Sequence, residues 1–192
     1  MAHKFDPEHL ARLQDPERVE WQDPVAILET FGVGRGMILA DVGAGPGFFS
    51  LPAARLVGGE GRVYAIDVQE PMLWALQKRL VEERVGNVLP VFSREDLIPL
   101  PSASVDFALL VNALHELEGN ATLLEIRRVL REEGGFGVVD WKKERMEHGP
   151  PVEHRVSLDK ARSLLATNGF SGREVEVGPF HYGLHLSGLA KG

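Results

Sequence analysis

The 192-residue sequence predicts an α/β domain: a doubly wound, mainly parallel seven-stranded sheet ending in an antiparallel hairpin. Three observations predict it. From residue 37 onward, apolar runs of strand length alternate with longer segments of helical period. The runs lack an alternating polar face, as strands covered on both sides do. The last two runs are joined only by a short turn around Gly178-Pro179, and a parallel pair would need a full crossover.

The elements follow in order. Asp-Pro occurs at Asp6-Pro7, Asp15-Pro16 and Asp23-Pro24. Asp suits an N-cap and Pro the first helical position. The first thirty residues therefore predict two short helical pieces and a longer helix, "DPVAILETFG", stopped by Gly32. This arm, residues 1–35, is either trim at the sheet edge or a lid over a ligand, with Phe5 and Trp21 as its apolar contacts. The core, residues 36–192, opens with "MILADV" as a strand and "GFFSLPAARLVG" as a helix ending at Gly58-Gly59. "RVYAIDV" is a strand, "EPMLWALQKRLVEERVG" a helix with Pro71 in its first turn, and "NVLPVF" a strand. After the loop "REDLIPLPSAS" come the long buried strand "VDFALLVNAL" and the helix "NATLLEIRRVLREEG", with Asn120 as its cap. "GFGVVDW" is a strand, "SLDKARSLLATNGF" a helix ending at Gly169, and "GREVEVG" and "YGLHLSGLAK" the two final strands. Crossovers should be right-handed.

Composition narrows the function classes. A formal net charge of -7 gives no general attraction to phosphate backbones or anionic membranes. The absence of cysteine excludes disulfides, thiolate metal sites and thiol nucleophiles. No apolar run approaches the roughly 20 residues of a membrane span, and the N-terminus lacks a signal-peptide core. The expectation is a soluble cytoplasmic protein.

The chemistry centres on Asp41-Val42-Gly43-Ala44-Gly45-Pro46-Gly47. A dinucleotide loop has the spacing G-x-G-x-x-G, and Phe48 stands where its third glycine belongs. An acid two residues before the first glycine can hold the loop's backbone and attract an ammonium group, but it would repel a pyrophosphate. Asp67 ends the next strand, 67 − 47 = 20 residues after the last glycine. An acid there can accept hydrogen bonds from both ribose hydroxyls. NAD sites use such an acid too, so Asp67 alone does not choose between a dinucleotide and a ligand carrying an ammonium group, and either loop type puts its ligand at a helix N-terminus over strand C-termini.

The segments "LADVGAGPG", "VYAIDVQEPML", "IPLPSASVDFALLVNALHEL", "EIRRVLREEGGFGVVDWKKE" and "LATNGF", followed by the final hairpin, resemble the class I S-adenosylmethionine (SAM)-dependent methyltransferases. The resemblance is greatest to the small ubiquinone/menaquinone-biosynthesis-type enzymes and runs from about Gly36 to the C-terminus. It implies a Rossmann-like methyltransferase fold, SAM as cofactor and methyl transfer as the activity. It further implies that Gly43, Ala44, Gly45 and Gly47 pass close to the methionine part of SAM. Asp41 would support the loop and the amino end, and Asp67 would clamp the ribose. Val68 and Met72 would flank the adenine, and Asn112 would face the methionyl region through its backbone. The family often has Gly-Asp-Ala after the third strand, where this chain reads Ser93-Arg94-Glu95. The Arg94 side chain cannot accept a bond from the adenine amino group; Glu95 or Asp96 could substitute, or a backbone carbonyl could, and Glu95 is the named candidate.

Methyl transfer from a sulfonium needs alignment and exclusion of water, with a general base where the acceptor carries a proton. His115, just after the fourth strand beside Glu116, is the candidate base. It could equally be a structural group bonded to the backbone. Asp140 reads more readily as a loop holder and Trp141 as a substrate wall or packing. No metal is expected: His115-Glu116 does not continue into H-E-x-x-H, and His181 and His185 lie two pleats apart on one strand face. The basic-aromatic interleaving of single-strand nucleic-acid binders is missing, so the expected acceptor is a small molecule. The alternatives are a SAM-binding module without catalysis and a nicotinamide-dependent oxidoreductase. Phe48 speaks against the second, as do the strand positions of the only tyrosines, Tyr64 and Tyr182.

Overall fold

The structure is a computed structural model that describes residues 13 and 15–188. Phe5, Asp6-Pro7 and the end of the last strand, Leu189 to Lys191, lie outside the described residues. The elements are α1 (Arg18–Trp21), α2 (Pro24–Thr30), β1 (Ile38–Val42), α3 (Ser50–Val57), β2 (Arg62–Asp67), α4 (Glu70–Glu82) and β3 (Val88–Phe92). There follow β4 (Val105–Val111), α5 (Ala121–Val129), β5 (Leu130–Trp141), α6 (Leu158–Thr167), β6 (Phe170–Val175) and β7 (His181–Gly188). The seven strands form one sheet in the order β3-β2-β1-β4-β5-β7-β6. The first five run parallel, and β7 is antiparallel to both β5 and β6.

The fully apolar strands are explained by the two layers that cover them. One face packs Leu39, Val63 and Leu109 against Ile27 and Leu28 of α2, Leu51 and Val57 of α3, and Leu76 and Leu80 of α4. The other packs Ala40, Ile66, Leu110 and Phe136 against Leu123 and Ile126 of α5 and Ala161 and Leu165 of α6. Asp23 caps α2 by accepting the N–H groups of Val25 and Ala26, and Ser157 caps α6 through the N–H of Lys160, as their sequences suggest.

Three local expectations need correction. The segment "LREEG" is not the end of α5 but the start of β5, where Leu130 pairs with Val105 and the register shifts before Phe107. Burial of Leu130, 7% exposed, outweighs the helical propensity of the residues that follow it. Asn120 makes no side-chain cap bond. β4 stops at Val111 because Asn112 adopts φ +54 and turns the chain out of the sheet. The next residues form a single 3₁₀ turn, Leu114–Glu116.

Candidate active site

The C-terminal ends of β1 and β2 hold the predicted loop. Gly43 and Ala44 donate their N–H groups to the carbonyl of Ile66, at 2.9 and 3.0 Å, so the loop is fastened to the neighbouring strand. Gly43, Gly45 and Gly47 all have positive φ, which glycine adopts without steric cost. Their reasons differ. A Cβ on Gly47 would stand 2.5 Å from Leu76 of α4, so this glycine lets helix and loop pack. A Cβ on Gly43 would stand 2.9 Å from Ala113. At Gly45 the nearest described atom would be on the Leu13 side chain of the arm, at 3.8 Å, an ordinary contact, so the positive φ and not crowding is what calls for glycine there. The Ala44 side chain belongs to the apolar layer.

The two predicted acids are brought to this loop, but they divide the work differently from the expectation. Asp67, 7% exposed, accepts the N–H of Gly45 at 2.8 Å through one oxygen and that of Gln69 at 2.9 Å through the other. It is therefore Asp67 that holds the loop's backbone. Asp41, 2% exposed, instead accepts the hydroxyl of Ser50 at 2.5 Å, which ties β1 to the start of α3. Burial raises the Asp41 carboxyl to about 6. Ser50 opposes the shift, the negative charge of Asp67 adds to it, and the guanidinium of Arg18 opposes it. A carboxylate this reluctant to ionise is suited to receive a cation.

That cationic neighbour comes from the described part of the arm, α1. The guanidinium of Arg18 sits 4.0 Å from the centre of the Phe48 ring. It donates to the Gln22 side-chain oxygen from Nε at 2.9 Å and from Nη2 at 2.8 Å. Gln22, fully buried, accepts from the Asn112 amide at 3.1 Å and stands 3.3 Å from His181 Nε2. Asn112 thus takes part through its side chain as well as its backbone, whose N–H donates to Val139. Trp21 stacks on His148 and His181 and tilts against Trp141. Sequence reasoning missed Arg18, Gln22 and Ser50. Only the Asp-Pro capping signals marked the arm, and they say nothing about which of its side chains turn inward.

Val68 is half-buried and Met72 is 2% exposed. Glu95 does not turn to the strand ends of β2 and β3. Its carboxylate accepts the N–H of Glu118 at 3.2 Å, and its carbonyl accepts the Thr122 hydroxyl. These bonds lace the loop after β3 to the start of α5. Ser93, 7% exposed, donates its N–H to the Asp67 carbonyl and stands closer to the crevice.

On the β4–β5 side, His115 and Asp140 form a buried pair. His115 Nδ1 lies 2.8 Å from Asp140 Oδ1, and the His115 backbone N–H donates to Oδ2 at 3.0 Å. Asp140 also accepts the N–H of Trp141 and is fully buried. Burial alone would lower the His115 pKa. The bond to Asp140 and its charge, together with Glu116 3.8 Å from Nε2, offset that and leave it raised. The His115 ring is thus held by a carboxylate and not by backbone, and its own backbone N–H is bonded to the same Asp140. Beside it, Trp21, Trp141, His148, Phe180 and His181 make a continuous aromatic wall. Burial pushes His181 down to about 3, with the positive charges of Arg18, Lys142 and Arg155 acting in the same sense. It is a neutral member of that wall. Among the described residues, no group of three or more His, Asp or Glu side chains gathers as a metal site. No helix among them is long and apolar enough to cross a membrane.

A doubly wound sheet in the order 3-2-1-4-5-7-6, with acids at two adjacent strand ends over a glycine-hinged turn, defines the class of open α/β domains that bind ligands at strand C-termini. The sequence description of the methyltransferase domain family matches residues 40–138, about half of the chain, and the chain belongs to that family. It is 38% identical to a SAM-dependent methyltransferase from Aquifex aeolicus of known crystal structure. The two superpose with a TM-score of 0.92 over 95% of this chain and 98% of that one. It is 29% identical over 118 residues to the ubiquinone/menaquinone biosynthesis C-methyltransferase UbiE of Marinomonas sp. (strain MWYL1), covering 60% of this chain and 47% of the relative. It is 33% identical over 135 residues to the nocamycin O-methyltransferase of Saccharothrix syringae, covering 68% and 48%. The chain spans about half the length of the curated relatives it matches.

Proposed function

We propose that the protein is a cytoplasmic methyltransferase that moves a methyl group from SAM to a small-molecule acceptor. The observation that carries this reading is the placement of Asp67. Its carboxylate is buried at the end of β2 and accepts the N–H of Gly45 in the glycine turn. A buried carboxylate at this strand end, beside a glycine turn, is the group to which a ribose diol donates in sheets of this kind. Asp41 and the loop backbone between the two acids suit the cationic half of such a ligand. A nicotinamide dinucleotide fits less well, because its pyrophosphate would meet Asp41 across the loop.

Bound there, SAM supplies a methyl carbon already made electrophilic by its positive sulfur. The chain's own residues do the rest. Asp67 and the loop fix the donor. The aromatic wall around Trp141 keeps water out. His115 serves as base, with its Nδ1–H directed to Asp140 and Nε2 as the atom that receives a proton. Asp140 is a positioning residue, setting the ring's tautomer and raising its basicity. The acceptor proton then leaves as the new bond forms, without a free anion at neutral pH.

Calorimetric titration with SAM and with S-adenosylhomocysteine tests the reading. The parent should bind both, and Asp67→Ala should weaken both by about 100-fold, the loss of two hydrogen bonds to a charged group. Labelled methyl transfer to a panel of phenols and amines should then yield a product that requires His115. Equal binding by Asp67→Ala and the parent would refute the ribose assignment.

A further inference from the structure

Among the described residues, Arg18 is a buried cation with no carboxylate in ion-pair contact. Its residue is 8% exposed and its guanidinium remains charged, although burial lowers its pKa to about 10. Its bonds all go to neutral oxygens: two to the Gln22 side chain and one, at 3.4 Å, to the Leu13 carbonyl. It appears in none of the ion pairs among the described residues. Those bonds use three of the five N–H donors of a guanidinium, leaving two on the Nη atoms. Asp41 raises the Arg18 pKa by its charge but without contact.

A buried guanidinium bonded only to neutral oxygens carries a desolvation cost that partnership with a carboxylate would offset. Its position is specific. The ring of Phe48, which it covers at 4.0 Å, directly follows Gly47 of the loop. Gln22, which holds it, also holds Asn112 at the end of β4. Arg18 therefore sits at the end of the crevice away from Val68 and Met72, beside the acid proposed for the amino group.

Resting on the SAM reading above, we infer that Arg18 binds the α-carboxylate of the donor's methionyl group. The arm thereby selects donors that keep this carboxylate. Charge agrees. Asp41, Asp67 and Arg18 sum to one negative charge. A sulfonium, an ammonium and a carboxylate sum to one positive charge. Without Arg18 the site would carry two negative charges, and it would favour a donor stripped of its carboxylate. With Arg18 the two remaining Nη donors match a carboxylate's geometry. The same contact makes donor binding and closure of the arm one event, because α1 carries the ligand's partner.

The test is isothermal titration of the parent, Arg18→Ala and Arg18→Met with S-adenosylhomocysteine and with its decarboxylated analogue. Arg18→Met keeps an apolar stem over Phe48, and circular dichroism melts show that each variant is folded. Both variants should bind S-adenosylhomocysteine about 10- to 100-fold more weakly than the parent. Both should bind the decarboxylated analogue as tightly as the parent or more tightly. Equal losses for the two ligands, or no loss for either, would overturn the assignment of Arg18 while leaving the SAM reading intact. A parent that binds neither ligand would overturn both.

Discussion

Asp41→Asn offers a direct measure of what the site holds in reserve. In the free protein the Asp41 carboxyl titrates at about 6, against an ordinary value of 3.8, chiefly because it is buried. That gap corresponds to about 3 kcal/mol. The sign follows from linkage. Between 3.8 and 6 the folded state holds the proton and the unfolded state releases it, so stability falls as pH rises through this window. Above about pH 7 the full cost is present. Asparagine carries no charge and escapes it, but its buried amide N–H2 gains no ready partner, which takes back about 1 kcal/mol. The net gain of about 2 kcal/mol should raise the melting temperature at pH 7.5 by about 4–8 °C for a chain of this size. The advantage should shrink toward zero near pH 4. Differential scanning calorimetry at pH 4.5, 6 and 7.5 reads this directly, and titration of the same variant with SAM should show binding weakened about tenfold. A variant less stable than the parent at pH 7.5, or one whose advantage is the same at all three pH values, would refute the claim that this carboxylate is stored in a costly ionised state.

Further outcomes follow from the same geometry. His115→Asn should lower the turnover rate by about 10²–10⁴-fold while leaving S-adenosylhomocysteine affinity within about twofold; in the parent, the rate should fall as pH drops through a pKa above 6.5, measured from initial rates between pH 5.5 and 9. Because that pKa is raised in the fold, the stability from the His115–Asp140 pair is fully present below 6.5 and is lost as pH rises through the raised value. Asp140→Asn should therefore destabilise more at pH 6 than at pH 8.5 in paired thermal melts. Gly47→Ala should cost about 3 kcal/mol, from left-handed strain and the clash with Leu76, whereas Gly45→Ala should cost only the strain, about 1 kcal/mol, in urea titrations.

The sequence carried the sheet because its information is local and repeated: a mainly apolar run, a glycine stop and a helical period recur from β1 onward. It failed at Leu130, where pairing with Val105 across the sheet decides the matter, and a distant partner leaves no local trace. The acids at the ends of β1 and β2 were legible for the same reason as the sheet. Each closes an apolar run, and strand ends converge in this topology. What each acid bonds was not legible. Ser50 lies nine residues from Asp41, and nothing in the spacing assigns its hydroxyl to that carboxylate rather than to a helix cap. Counting along a family pattern points to Glu95 but carries no trace of its bonds to Glu118 and Thr122, which come from across the loop.

The arm ties the two halves of the site together. The proposed donor side is built from β1, β2 and the loop between them, and it is electrostatic: two buried carboxylates. The proposed acceptor side is built from β5, β7 and the residues after β5, and it is aromatic. The arm bridges these halves through adjoining residues, Arg18 toward Phe48 and Asp41, Trp21 toward Trp141 and His181, and Gln22 toward Asn112 and His181. Gly178 in the β6–β7 turn is matched to it as well, since a Cβ there would stand 2.8 Å from the Trp21 carbonyl. Trim at a sheet edge would need only apolar contacts. The described part of the arm instead brings a buried guanidinium to one half and a tryptophan to the other, which is the arrangement that the proposed coupling of donor binding to the arm requires.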